Sequence, residues 1–190
     1  MNKAIPAALL LLLLAGCISL PGSDFPDTSR YSLPVTNQGC TPGDTPLALR
    51  VPRVSAGLDS NRIARRNAAT GEITYLKDVR WAEDVRVLVE QRLARDLECH
   101  GFTAVSSHHH TLDQSQLVCE VRAFNLVQEG SRDTAEVGLS CIYYGSGNAP
   151  DRPVVTMRDS AVTDWSAPAA VAAVSDAYEL ALADLLAGMR

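Results

Sequence analysis

The sequence predicts a single α+β domain, a largely antiparallel or mixed sheet with two helices packed on one face, and three observations carry that expectation. Runs of alternating apolar and polar residues recur through most of the chain, as half-buried strands require. Two stretches, 81–99 and 167–187, change to the 3.6-residue period of an amphipathic helix. The part of the 190-residue chain that follows Cys17 suffices for one ordinary core and is short for two.

The N-terminus stands outside that domain. Lys3 precedes an apolar run from Ala4 to Ala15 with six consecutive leucines, Leu9 to Leu14, and Leu14-Ala15-Gly16-Cys17 closes it. A hydrocarbon span takes about 20 apolar residues, so this run is too short to cross a bilayer and reads as a signal peptide. Small residues also precede ordinary secretory cleavage sites; the cysteine directly after Leu-Ala-Gly favours a lipobox. Residues 1–16 are then a lipoprotein signal peptide and residues 17–29 an acylated N-terminus and flexible linker, carrying Pro21, Gly22, Ser23 and Pro26. Residues 30–190 form the domain. Acyl chains on Cys17, palmitate among them, would tether it to a membrane, each buried methylene contributing about 0.8 kcal/mol.

The elements follow in order. Residues 30–36 alternate Tyr31, Leu33 and Val35 on one side, a first strand at an edge because of Pro34. After a Gly- and Pro-containing loop at 37–46, residues 47–54 read as a second strand with Leu47, Leu49 and Val51 on one face. Residues 62–66 and 72–77 predict a hairpin around Thr70-Gly71. Within 81–99, Ala82, Val85, Val89, Leu93 and Leu97 form a helical stripe, with Asp78 or a neighbour as cap, Glu83 and Asp84 at the positive end, Arg92 and Arg95 toward the negative end, and Gly101 as stop. Residues 102–106 predict a short strand, and His108, His109 and His110 sit in the loop beyond it. Neighbours along an extended chain cannot all face one ion, so the three histidines read as an exposed loop and not as a metal site.

Residues 116–128 and 133–144 are the two longest strand patterns, joined through Glu129-Gly130-Ser131. Leu117, Cys119, Val121 and Ala123 share a face of the first, and Ala135, Val137, Leu139, Cys141 and Tyr143 a face of the second. Residues 153–165 predict a last strand. Ser166 and Pro168 open the second helix, whose stripe is Val171, Val174, Tyr178, Ala181 and Leu185.

Charge and cysteines narrow the function. The chain carries −5, and removal of residues 1–16 takes away Lys3 and no acid, leaving −6. The densest basic cluster, Arg62, Arg65 and Arg66, is interrupted as a strand would be, so nucleic acid is not an expected partner. Cys40, Cys99, Cys119 and Cys141 are an even set in an exported chain, which suggests two disulfides with three pairings open. A turn centred on Gly130 sets positions 119 and 141 opposite each other and leaves Cys40 with Cys99, whereas a one-residue slip of register abolishes the first pair. No nucleophile elbow, zinc helix, phosphate loop or dinucleotide fingerprint is present, so no catalytic residue, cofactor or metal ligand is expected, and a binding or scaffolding module is favoured over a periplasmic hydrolase.

The lipobox, Tyr31-x-Leu33, the 47–54 strand, Ile63 and Tyr75 about a hairpin, and above all Arg80-Trp81-Ala82-Glu83 opening a helix resemble the ABC-type transport auxiliary lipoproteins, the PqiC-like family. The strand holding Phe124 and the Ala-rich last helix fit as well. Ser55-Ala56-Gly57-Leu58 replaces the proline-tyrosine-leucine run common in that family, and the four domain cysteines are additional. The resemblance implies an outer-membrane lipoprotein facing the periplasm, partnering an MCE-domain protein in lipid transport that maintains membrane integrity, as a homo-oligomeric ring. Ile18 after the cysteine agrees with outer-membrane sorting. Trp81, with Arg80 beside it, is a candidate partner contact, the competing reading being core packing. A lipoprotein of another envelope-assembly complex, such as lipopolysaccharide export, is the alternative.

Overall fold

The computed structural model describes residues 28–34, 39–41, 43–106, 114–147, 149–164 and 166–190. The long strand β7 (Ser115–Glu129) is the spine of a nine-stranded mixed sheet. Along one edge it carries three short parallel strands in succession. β2 (Thr45–Leu49) pairs its start, β3 (Arg53–Val54) its middle and β4 (Arg62–Asn67) its end. Its other edge pairs antiparallel with β8 (Arg132–Tyr144), and β8 in turn with β9 (Arg152–Ala161). Beyond β2 lies β6 (Phe102–Ser106), and beyond β4 lie β5 (Ile73–Trp81) and the parallel edge strand β1 (Ser29–Tyr31). The helices α1 (Val85–Cys99) and α2 (Ala167–Met189) join the inward sheet residues in one core, so the α+β expectation holds and the sheet is mixed.

The predicted strand over 47–54 is two strands. Pro52 has no N–H to give a ladder, and the chain breaks there, with the Arg50 N–H donating to the Leu117 carbonyl at 2.9 Å before β3 rejoins β7.

The start of α1 also differs from expectation. Residues 80–83 do not open the helix: Arg80 and Trp81 end β5, since the Trp81 N–H donates to the Asn61 carbonyl and the Ala82 N–H to the Tyr31 carbonyl, both at 2.7 Å. Sheet partners thus take the donors that a helix N-terminus would leave free. Asp84 holds the cap position without a side-chain cap bond, and Asp78, at φ 57°, lies in a bulge of β5. Arg92 and Arg95 lie outside the last turn. α2 conforms: the Ser166 hydroxyl accepts the Ala169 N–H at 3.2 Å, and Val171, Val174, Tyr178, Ala181 and Leu185 are buried.

The hairpin β7–β8 turns on Gly130 (φ 60°) and Ser131, pairing Glu129 with Arg132. That two-residue turn alone would set Cys141 opposite Glu120. A bulge at Arg122, between the Val121 and Ala123 pairings, moves the register by one and brings Cys119 opposite Cys141. It also reverses the inward parity of β7, from Leu117, Cys119 and Val121 to Phe124 and Leu126.

Candidate functional site

The most unusual side-chain chemistry lies in the seam between the helices. Arg92 and Asp96 are one turn apart on α1, and the Arg92 Nε donates to Asp96 Oδ2 at 2.8 Å. Its Nη2 donates to Glu179 of α2, and the guanidinium stands 5.4 Å from the centroid of the Tyr178 ring. The Arg92 and Asp96 side chains are 3% and 0% exposed, so one buried cation serves two carboxylates. Loss of water raises the pKa of Asp96 above the ordinary carboxylate value, Arg92 opposing the shift and Glu179 adding to it. The Tyr178 phenol is pushed well up by burial and by the neighbouring Asp96 charge. Structurally this group ties α1 to α2 through the Arg92 bond to Glu179. A cavity of about 350 Å³ adjoins it, lined by Ser32, Leu33, Glu83, Gln91, Arg92 and Arg95 among others.

The sequence sets Arg92, with Arg95, toward the negative end of the helix, where the macrodipole favours cations. The signal for its burial was its spacing: Arg92 and Asp96 are i, i+4 and flank the stripe Val85, Val89, Leu93, Leu97, all buried.

The other predicted residues are not brought together. Cys17 and His108, His109 and His110 lie outside the described residues. Cys119 is bonded to Cys141 and Cys40 to Cys99, one bridge inside the β7–β8 ladder and the other fastening the chain before β2 to the end of α1. Gly43 makes the second approach close, for a β carbon there would stand 2.1 Å from the Gly101 carbonyl oxygen. Trp81 is 1% exposed, with its ring 5.4 Å from that of Phe124, so the partner-contact reading of Trp81 gives way to core packing. The reason is strand parity: Trp81 faces the core, and Arg80 before it faces outward. Arg80 is half-buried, in register with Arg62 of β4 and Arg30 of β1. No group of three or more His, Cys, Asp or Glu side chains suited to a metal occurs among the described residues, nor any helix long and apolar enough to cross a membrane.

Comparison with known proteins agrees with this architecture. A solved structure described as an uncharacterized protein superposes with a TM-score of 0.68 at 15% identity, covering 86% of this chain and 99% of its own. Protein XCC0632 from Xanthomonas campestris, of the family DUF330, superposes with a TM-score of 0.63 at 20% identity, covering 85% and 91%. These likenesses establish the fold. Among curated proteins none matches. The family model of the ABC-type transport auxiliary lipoprotein component matches residues 31–185, nearly the whole domain, and the chain therefore belongs to the ABC-type transport auxiliary lipoprotein family.

Proposed function

We propose that this chain is a non-catalytic docking component of an envelope lipid-transport system, held by acylated Cys17 at the outer membrane and facing the periplasm, where it engages an MCE-domain protein of an ABC transporter. The observation that carries the reading is the family match over residues 31–185, lying a short tether beyond a lipobox cysteine. The fold supports it: the buried Arg92 holds Asp96 within α1 and bonds Glu179 of α2, the kind of tie that stiffens a platform, and the two disulfides suit an oxidising compartment. A ring of identical copies around a conduit is the assembly proposed for it.

Two measurements test this reading. Labelled palmitate should enter the full chain and not the Cys17→Ala form, which should leave the outer-membrane fraction. Affinity capture of the full chain from envelopes should bring down an MCE-domain protein with its ABC permease and ATPase. Capture of a lipopolysaccharide-export complex in their place, or an unlabelled chain, would overturn it.

A further inference from the structure

The outward face of β1, β5 and β4 carries three arginines in one row. Arg30 of β1 is the register partner of Arg80 of β5, and Arg80 is the register partner of Arg62 of β4. Register partners share a sheet face, so the three arginine side chains leave the sheet on one side, opposite to Trp81. Like charges directly across strands repel, and carboxylates normally relieve them. Here, among the described residues, none of the three forms an ion pair: Arg80 Nη1 donates to Asn61 Oδ1 at 3.4 Å, and Arg62 stacks 3.9 Å over the Tyr75 ring.

The row borders a built cleft. Between the Arg62–Arg80 and Ala64–Tyr75 pairings one residue of β4 faces four of β5, and the bulge, with Asp78 at φ 57°, walls a cavity of about 300 Å³. Thr28, Arg62, Lys77 and Arg80 line it, with Asp78 as the one carboxylate among its lining residues. Among the described residues the cleft's lining thus sets three cations, Arg62, Lys77 and Arg80, against one acid, with Arg30 next in register to Arg80.

Thr28 is also where the tether enters. Ten residues separate it from Cys17, and the eleven residue-to-residue steps reach roughly 40 Å at most when fully extended. An acylated Cys17 would keep this face within that distance of lipid headgroups.

We infer that the Arg30–Arg80–Arg62 row and its cleft bind the phosphate of an anionic phospholipid headgroup in the membrane that carries the anchor. Arginine suits this ligand because its fixed fork of donors matches phosphate oxygens, and a cleft open on the sheet face admits a headgroup without unfolding the edge. The inference deepens the proposed function by naming a lipid class. It rests on that reading only for the source of the phosphate.

The test uses the full chain in non-ionic detergent, titrated calorimetrically with dihexanoyl phosphatidylglycerol, dihexanoyl phosphatidylcholine, inorganic phosphate and a Glu-rich peptide. Saturable binding of the glycerol lipid at least tenfold tighter than of the choline lipid is expected. Arg62→Gln and Arg30→Gln, both at exposed positions, should each weaken it at least fivefold while Tm stays or rises, since repulsion is relieved. Arg62→Lys should recover part of the affinity. Should Arg80→Gln fail to fold, the two exposed variants decide. Unchanged affinity in them, equal binding of both lipids, inorganic phosphate binding as tightly as the lipid, or the acidic peptide binding more tightly would each overturn the inference. Acylation does not enter the comparison: a chain that takes up no palmitate yet binds the lipid through these arginines refutes the anchor and leaves the row standing.

Discussion

Removing Arg92 and removing Asp96 should have very different consequences, although the two side chains are partners. Arg92→Met leaves Asp96 and Glu179 facing each other across the seam, with Asp96 fully buried. Breaking a buried pair in this direction costs about 3–5 kcal/mol. Asp96→Asn instead removes one of two carboxylates, keeps an uncharged side chain of the same shape, and leaves Arg92 paired with Glu179; it should cost no more than about 1.5 kcal/mol, the ordinary scale of one hydrogen bond. Urea unfolding followed by fluorescence of the buried Trp81 reads the difference. At a slope of about 2 kcal/mol/M the midpoint should fall by at least about 1.5 M for Arg92→Met and by less than about 0.8 M for Asp96→Asn.

The pH dependence has a definite sign. The folded Asp96 has a raised pKa, so the native state holds its proton more tightly than the unfolded chain does. The associated stability is complete below the ordinary aspartate value of 3.8 and is lost as pH rises through the folded value. Arg92 opposes the shift, so Arg92→Met should extend this loss to higher pH, and Asp96→Asn should abolish it. Equal midpoint shifts for the two variants, or a stability of Arg92→Met that grows with rising pH over that window, would refute the account of one cation serving two acids.

Trp81→Ala should cost about 3–5 kcal/mol, because a ring packed on Phe124 leaves a large cavity; a variant of unchanged urea midpoint would show that the ring is not a core residue. Removing Cys40–Cys99, which spans 59 residues, should cost about 4 kcal/mol on chain-entropy grounds, and removing Cys119–Cys141, which spans 22, about 3 kcal/mol, measurable as midpoint shifts of the double serine variants. Gly43→Ala should cost about 1–3 kcal/mol, since β2 and β6 must part to admit the methyl, and thermal unfolding measures it. Ser166→Ala should remove about 1 kcal/mol through the lost cap of α2, seen in the same melts.

The elements of this protein could be read from its residues because the signals for them are local. Alternation over 116–128 and 133–144, the capping pair Ser166 and Pro168, and the stripe from Val171 to Leu185 depend only on neighbours a few positions away. Even so, the facing of Cys119 and Cys141 came from two offsets that cancel, a turn displaced from Gly130 and a bulge at Arg122, and no local pattern announces a bulge. The start of α1 is hidden for a related reason: Trp81 and Ala82 continue the helical stripe, but Asn61 and Tyr31, distant in sequence, accept their N–H groups.

What the sequence by itself determined is the α+β class and the membership of the family, both written in short-range pattern and composition. Only the tertiary structure decided that Arg92 is buried and that Arg30, Arg62 and Arg80 stand in one row. Charge is a property of a residue, whereas the dielectric around it and the charges beside it are set by strand pairing and helix packing between segments tens of residues apart.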